Sequence, residues 1–390
     1  MEIKRVYVGG WFQRTRLHLG EIYDFLRDAD SPLNLDKNEL VRLQKTLVIT
    51  RLDLVVDRLE CIVMETENIS LRIYEDGLIT LSTQHSHDLQ QDIKLLTDYY
   101  ENKMSPALSY IFSLGAPVPK ELANIKTVYP YFIVTTGATD ERTNELFGEF
   151  SQTKYFTVKN QSFSIYRGDK LYIIDQSGAS DKEVERFIEE QIFLREFRGQ
   201  LHRYLNLHRS IWEQIADVKE RGSIKGEEIV SYKKKVDEYA KTIDFISTRI
   251  NQMGVYLRTR GAIAASDENL NKFRDTLNYK HETMGDTLEY IKDIWVLTQR
   301  YVSSAAQIFN DLQAKSTNTS VQNLTVVTSM GVGATLIGLF SKNSAPTFTM
   351  FGLGYFVALA VLGYSVNRFM KWYALQKKYP IKDTELAKEI

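Results

Sequence analysis

The sequence predicts an α+β domain followed by long stalk helices and a two-helix transmembrane hairpin. Three observations carry that reading. Strand and turn signals crowd residues 1–178, extended helical patterns fill 179–320, and two uncharged apolar runs lie close together within 321–370. Residues 371–390 read as a tail.

Composition narrows the function before any motif does. Charged residues make up 25% of the chain and the net charge is -1, so no basic excess points to nucleic acid, and no direct nucleic-acid partner is expected. The mean hydropathy is -0.28, so most of the chain expects water and the apolar residues concentrate near the end. The opening Met1-Glu-Ile-Lys-Arg5 lacks the apolar core of a signal peptide. Cys61 is the only cysteine, which excludes an internal disulfide and fits a reducing cytoplasm. Its neighbours Leu59, Ile62 and Val63 mark it as a core residue rather than a nucleophile.

In the first region, Lys4 to Phe12 and Leu59 to Met64 read as strands. Ile69 to Tyr74 and Leu78 to Leu81 flank Asp76-Gly77, a hairpin turn signal. Asp88 to Leu114 is helical by period, with Leu89, Ile93, Leu96 and Tyr99 on one face. Val128 to Val134 is a strand that Pro130 places at an edge or at a strand start. Tyr155 to Val158, Ser162 to Tyr166 and Lys170 to Ile174 form a meander, with Arg167-Gly168-Asp169 at one turn.

The texture changes at Ser180. Ser180-Asp-Lys-Glu183 is a capping box, and Gly222 is placed to stop the helix it opens. A second helix is expected from about Glu227 to Arg260, before Gly261, and a third from Ser266. Leu277, His281, Met284, Leu288, Ile291, Trp295, Thr298, Val302, Ala305, Phe309 and Leu312 form a heptad seam along the third, weakened at its two polar steps. Continuous to Phe340, this helix would hold about 75 residues and span roughly 110 Å, which is the length of a stalk.

The apolar runs follow. Leu324 to Phe340 carries no charge over about 17 residues, and Phe348 to Val366 is a stronger span of about 19. The expected helices are 321–340 and 348–367, joined by Ser341-Lys-Asn-Ser-Ala-Pro-Thr347, a link too short for a domain. Arg368, Lys371, Lys377 and Lys378 follow the second span, and Trp372 and Tyr373 suit an interface. The positive-inside rule then puts both termini in the cytoplasm, as a multi-pass protein of the cell inner membrane with the lipid bilayer as a partner.

The first span has a polar face. Asp311, Lys315, Asn318, Gln322, Thr325, Ser329, Gly333 and Leu336 share one helical stripe, grading from charged to amide to hydroxyl to small or apolar. Two readings stand. The stripe lines a water-filled path, or its hydroxyls satisfy backbone carbonyls while Gly331, Gly333 and Gly338 permit close packing. One hairpin cannot enclose a conduit, so the first reading requires several copies. Lys342 and Asn343 would then stand at the outer mouth.

Other patterns carry less. His85-Ser-His87 lacks further placed ligands for a metal. His202 and His208 do not share a helix face cleanly, and Lys233-Lys234-Lys235 beside Asp237-Glu238 reads as a solvated face. Gly331-Val-Gly333 follows no strand and lacks a Gly-Lys-Ser/Thr, so it is neither a dinucleotide fingerprint nor a phosphate loop. No nucleophile–base pattern or carboxylate pair is found, so no enzyme is expected.

The order of parts, carried by the helices over 180–222, 227–260 and 266–340 and the span 348–366, resembles the CorA family of divalent-cation channels. The resemblance implies a cytoplasmic α/β domain, a stalk, and a homo-pentamer whose first membrane helix lines the pore. The family's Gly-Met-Asn at the outer end of that helix occurs nowhere in this chain. Gly338-Leu-Phe-Ser-Lys-Asn343 stands there instead, so the family's filter residues are not carried over. The usual acidic outer loop is also missing, and a ring of Lys342 would repel Mg²⁺. Divergent CorA-like proteins accompany type III CRISPR systems. The resemblance therefore implies either an ion channel gated by its cytoplasmic domain or a membrane effector of antiphage defence activated by a cytosolic nucleotide messenger. A membrane-anchored scaffold without transport is a third reading. No resident cofactor is read from the residues; a divalent cation and a cytosolic nucleotide ligand are what the resemblance implies.

Overall fold

The structure, a computed structural model, describes residues 1–13, 18–56, 59–112, 131–159, 162–220, 222–340 and 350–381. Side chains over 218–220, most of 318–340 and part of 351–374 lie outside the described set. The chain forms two compact units, Met1–Leu205 with Phe245–Asp293, and Asn206–Asp244 with Ile294–Ile390.

The first unit is an α+β domain with long helices. Its strands are β1 (Glu2–Trp11), β2 (Arg51–Val55), β3 (Cys61–Glu65), β4 (Ser70–Tyr74), β5 (Leu78–Gln84), β6 (Tyr131–Thr136), β7 (Phe156–Lys159), β8 (Phe163–Arg167) and β9 (Leu171–Gln176). Among the described residues they form one sheet in the order β2-β3-β4-β5-β1-β6-β9-β8-β7. β6 and β9 pair in parallel; the other neighbours are antiparallel. The expected hairpin forms at Asp76-Gly77, where Gly77 takes φ +91°, a conformation a side chain would strain. The meander is β7-β8-β9, with Arg167-Gly168-Asp169 at its second turn. β6 starts at Tyr131 and is internal to the sheet among the described residues; Val128 to Pro130 of the expected strand lie outside them.

Strand alternation divides the core between two faces. Val6 and Val8 join a cluster with α1 (Leu19–Asp28), α2 (Lys37–Thr46), α3 (Leu89–Tyr99) and α4 (Ser105–Phe112). A π turn, Tyr100–Met104, links α3 to α4. Leu89, Ile93, Leu96 and Tyr99 are all buried there, as their spacing predicts. A further helix, α5 (Asp140–Glu149), contributes Leu146 and Phe147. Trp11, on the opposite parity of β1, packs its ring 5.5 Å from Phe193 and 5.7 Å from Phe197. Those phenylalanines belong to α6 (Asp181–Glu220).

The long helices follow local rules with one departure. At the start of α6, Ser180 N–H donates to Glu183 Oε2 at 2.6 Å and Glu183 N–H to Ser180 Oγ at 3.3 Å, the reciprocal bonds of a capping box. Gly222 takes φ +66° after its last turn. α7 runs Gly226–Ser266, through the expected stop at Gly261. Tertiary burial overrides the glycine, because Arg260 and Ala264 are 3% and 2% exposed and both need the helix to continue. The expected start at Ser266 moves accordingly. Asp267 caps a 3₁₀ turn, Glu268–Phe273, and α8 then runs unbroken from Arg274 to Phe340. Its 67 residues span roughly 100 Å.

In the second unit, the seam of α8 is closed by the same chain. Tyr301 stacks on Trp212 of α6 with centroids 4.2 Å apart, and Phe309 lies 6.1 Å from Tyr232 of α7. The polar step at Thr298 is answered by His208, whose Nδ1 lies 2.6 Å from Thr298 Oγ1. The same hydroxyl lies 2.9 Å from Ile294 O, within donating distance of its own helix. After α8 comes α9 (Met350–Gln376). Two short strands close this unit: β10 (Ser223–Lys225), in the turn between α6 and α7, pairs with β11 (Lys378–Pro380), directly after α9.

Candidate functional site

The sequence-predicted pore face lies along α8. Asp311 and Lys315 are exposed, as are Thr325 and Ser329 further along. Phe309 and Leu312 beside them are buried. The stripe is therefore angularly distinct from the seam that packs within the chain. Asn318, Gln322, Gly333 and Leu336 have helical backbone, but their side chains lie outside the described residues. Lys342 and Asn343 lie wholly outside them. Among the described residues, no helix is long and apolar enough to cross a membrane. Most side chains that give 324–340 its apolar character, and part of those in 351–366, fall outside that set. Those of α9 that are described leave Val357, Val361, Leu362, Tyr364, Phe369 and Trp372 more than half exposed.

The two histidine patterns resolve into local contacts. His85 Nδ1 lies 2.6 Å from the buried Asp92, which also accepts from the Ser86 hydroxyl at 2.8 Å. His202 and His208 sit apart, the first facing a cavity in the first unit and the second bonded to Thr298. Burial, and secondarily Arg209, lowers the His208 pKa. Cys61 is buried, and burial, with Glu189 adding to it, pushes its thiol up to about 12.

Sequence reasoning missed the strongest electrostatic feature of the first unit. Arg260, on α7, is 3% exposed. Its Nη1 donates to Glu190 Oε1 of α6 at 2.8 Å, Nη2 donates to Asp76 Oδ1 at 3.1 Å, and Nε donates to Asp76 Oδ2. Tyr74 and Phe193 rings flank its guanidinium at 5.2 and 4.9 Å. His281, the first polar step of the seam, brings Nε2 to 3.4 Å from Glu190 Oε2. Burial alone would raise Glu190, but Arg260 and His281 outweigh it and its pKa is lowered. Alongside, Glu189 accepts from Tyr74 OH at 2.6 Å and from Arg72 and Arg186 at 3.1 Å each. These charges come from segments far apart in sequence, so no spacing signals them. They are paired, and they border a polar cavity of about 310 Å³ that Arg186, Arg260, Glu190, Asp267 and Glu268 help to line.

A second cavity in the same unit, of about 600 Å³, has the opposite character. β7, β8, β9, α6 and α8 wall it. Phe187 and Leu201 give it an apolar floor, at 1% and 0% exposure, while Phe156 and Tyr279 are exposed at its rim. Among the described residues Arg167, Arg198 and Lys280 line it, and no carboxylate does. Lys280 Nζ donates to Gln191 Oε1. Burial, and then the charge of Arg167, lowers the Lys280 pKa to about 8. Arg167 is flanked by the rings of Tyr155 and Tyr172 at 5.5 and 5.3 Å. Its Nε and Gln191 Nε2 are buried without hydrogen-bond partners among the described residues.

Among the described residues, no group of three or more His, Cys, Asp and Glu side chains is arranged to hold a metal ion. No family model matches the chain, and no curated protein matches it. Among solved structures, the chain is similar to the complete structure of the CorA magnesium transporter from Methanocaldococcus jannaschii. The identity is 9% and the TM-score 0.31, over 64% of this chain and 91% of that one. A likeness of this size carries no argument about family or activity.

Proposed function

We propose that the chain is a CorA-like membrane protein. Its α+β unit and both termini stand in the cytoplasm, α8 and α9 cross the inner membrane as a hairpin, and several copies assemble around the polar stripe of α8 to form an ion conduit. The observation that carries this reading is the pairing of β11 with β10. Lys378, Tyr379 and Pro380, directly after α9, bond across to Lys225, Ile224 and Ser223 in the turn between α6 and α7. Ile381 N–H donates to Gly222 O at 3.0 Å, and Tyr379 and Ile381 are buried. The end of α9 is thus tied to the turn between α6 and α7, which supports a hairpin with both ends on one side. Two features support the bilayer. α9 leaves large apolar side chains exposed around its surface, which in a single chain calls for lipid or further protein. Its exit is basic, with Lys377 and Lys378 exposed.

Cysteine accessibility tests the topology. Native Cys61 is buried with its thiol held protonated, so it gives little background. A membrane-impermeant maleimide applied to intact cells is expected to label Asn343→Cys, but neither Ser177→Cys nor Lys378→Cys. Labelling of Ser177→Cys from outside contradicts the orientation.

A further inference from the structure

The cavity walled by β7, β8, β9, α6 and α8 has a charge balance that folding alone does not explain. Buried cations are ordinarily paired, because an isolated charge in a poorly solvated place is costly. The neighbouring polar cavity follows that rule, with Arg260 held by Asp76 and Glu190. Here Arg167 and Lys280, both part-buried, meet the exposed Arg198, and among the described residues none of the three forms an ion pair with a carboxylate. Arg167 and Lys280 are close enough for one to depress the other's pKa. Among the described residues two buried N–H donors, Arg167 Nε and Gln191 Nε2, find no acceptor. Gln191 is 4% exposed, and its carbonyl oxygen is already turned to Lys280, which leaves the amide nitrogen free to donate. Uncompensated positive charge with spare donors is the arrangement an anion completes.

The rest of the wall constrains the ligand's body. Phe187 and Leu201 are fully buried, Met284 adds an adaptable apolar surface, and Phe156 and Tyr279 stand exposed at the rim. A cavity of about 600 Å³ falls within the range of small-molecule sites. An inorganic anion would use the donors and leave this surface wet.

We propose that this cavity is a binding site for a small aromatic anion, whose phosphate or carboxylate head bridges Arg167, Lys280 and the Gln191 amide while its planar body covers the apolar wall. The proposal concerns the first unit alone and does not depend on α9 crossing a bilayer.

Calorimetric titration of the full-length protein in nanodiscs tests it, with phenyl phosphate, benzoate, inorganic phosphate and uncharged benzyl alcohol as probes. An aryl anion is expected to bind, inorganic phosphate more weakly, and benzyl alcohol not measurably. Whichever of phenyl phosphate and benzoate binds more tightly identifies the head group. Lys280→Met and Arg167→Gln should each weaken that binding by about tenfold or more, the weight of a lost charge-assisted hydrogen bond. A measurement on the unmodified chain guards against misfolded variants. Amine acylation of Lys280, read by mass spectrometry, should be slowed by the aryl anion and not by benzyl alcohol. Absence of protection overturns the site, as does equal affinity in wild type and folded variants or equal binding of the neutral alcohol.

Discussion

At the scale of single residues, burial decides what each charge can do. Arg260 neutralises Asp76 and Glu190, the second of which also has His281 beside it. Arg260→Met leaves Asp76 buried without its cation and Glu190 with His281 alone beside it, so it should cost about 3–5 kcal/mol. Hydrogen exchange of the Leu78–Gln84 amides reads this as lost protection, and adding Glu190→Gln to the variant should restore part of it. Unchanged protection in Arg260→Met contradicts the assignment. Lys280 gives the opposite case, a cation that the fold disfavours. In the unfolded chain it keeps its proton up to its ordinary value of 10.5; in the folded chain it releases it at about 8. Below 8 both states hold the proton, and the penalty for burying the charge is present in full. Between 8 and 10.5 the unfolded state binds more protons, so this residue makes stability rise with pH across that window. Anion binding in the same cavity should weaken as Lys280 neutralises. Comparing wild type with Lys280→Met in melts at pH 7.5 and 9.5 isolates the effect, because the methionine variant loses this contribution to the rise. The same rise in both variants contradicts the assignment.

At the scale of elements, local signals were legible and tertiary ones were not. The capping box at Ser180, the turn at Asp76-Gly77 and the stop at Gly222 are each set by residues within a few positions of one another. Their bonds and dihedrals appear as those residues predict. Gly261 failed as a stop because the residues on either side of it answer to a distant core, Arg260 through Asp76 of the β4–β5 turn. The buried ionic network and the basic cavity were invisible for the same reason, since Arg167, Gln191 and Lys280 meet only when three elements converge. The seam of α8 was legible as a period, but its partners were not. It packs on α6 and α7 of its own chain, so it does not by itself call for other subunits. Trp295→Ala, at 1% exposure in that seam, should cost about 3–5 kcal/mol and loosen the helices of the second unit. Limited proteolysis between 206 and 244 should accelerate in this variant, and an unaltered cleavage pattern contradicts the intrachain role. The β10–β11 pairing escaped sequence reading because each strand has only three residues and no turn joins them.

At the scale of the whole molecule, the seam packs inside one chain while Asp311, Lys315, Thr325 and Ser329 on the stripe of α8 are exposed, so that face is the one open to other copies. A symmetric oligomer in nanodiscs is the expected state, and only monomers would remove the conduit, because one hairpin encloses nothing. If several copies ring a path, one substitution on the stripe places an apolar group on every subunit at once, and a hydrophobic constriction closes a pore by dewetting. Leucine is also well tolerated in a membrane helix, so assembly should survive the change. Val326 lies off the centre of the stripe and supplies the control. The direct measurement is ion flux through proteoliposomes carrying wild type, Thr325→Leu, Ser329→Leu or Val326→Leu at equal assembly. Flux is expected in wild type and Val326→Leu and is lost in the two stripe variants; equal flux in all four, or none in wild type, contradicts a conduit along this stripe.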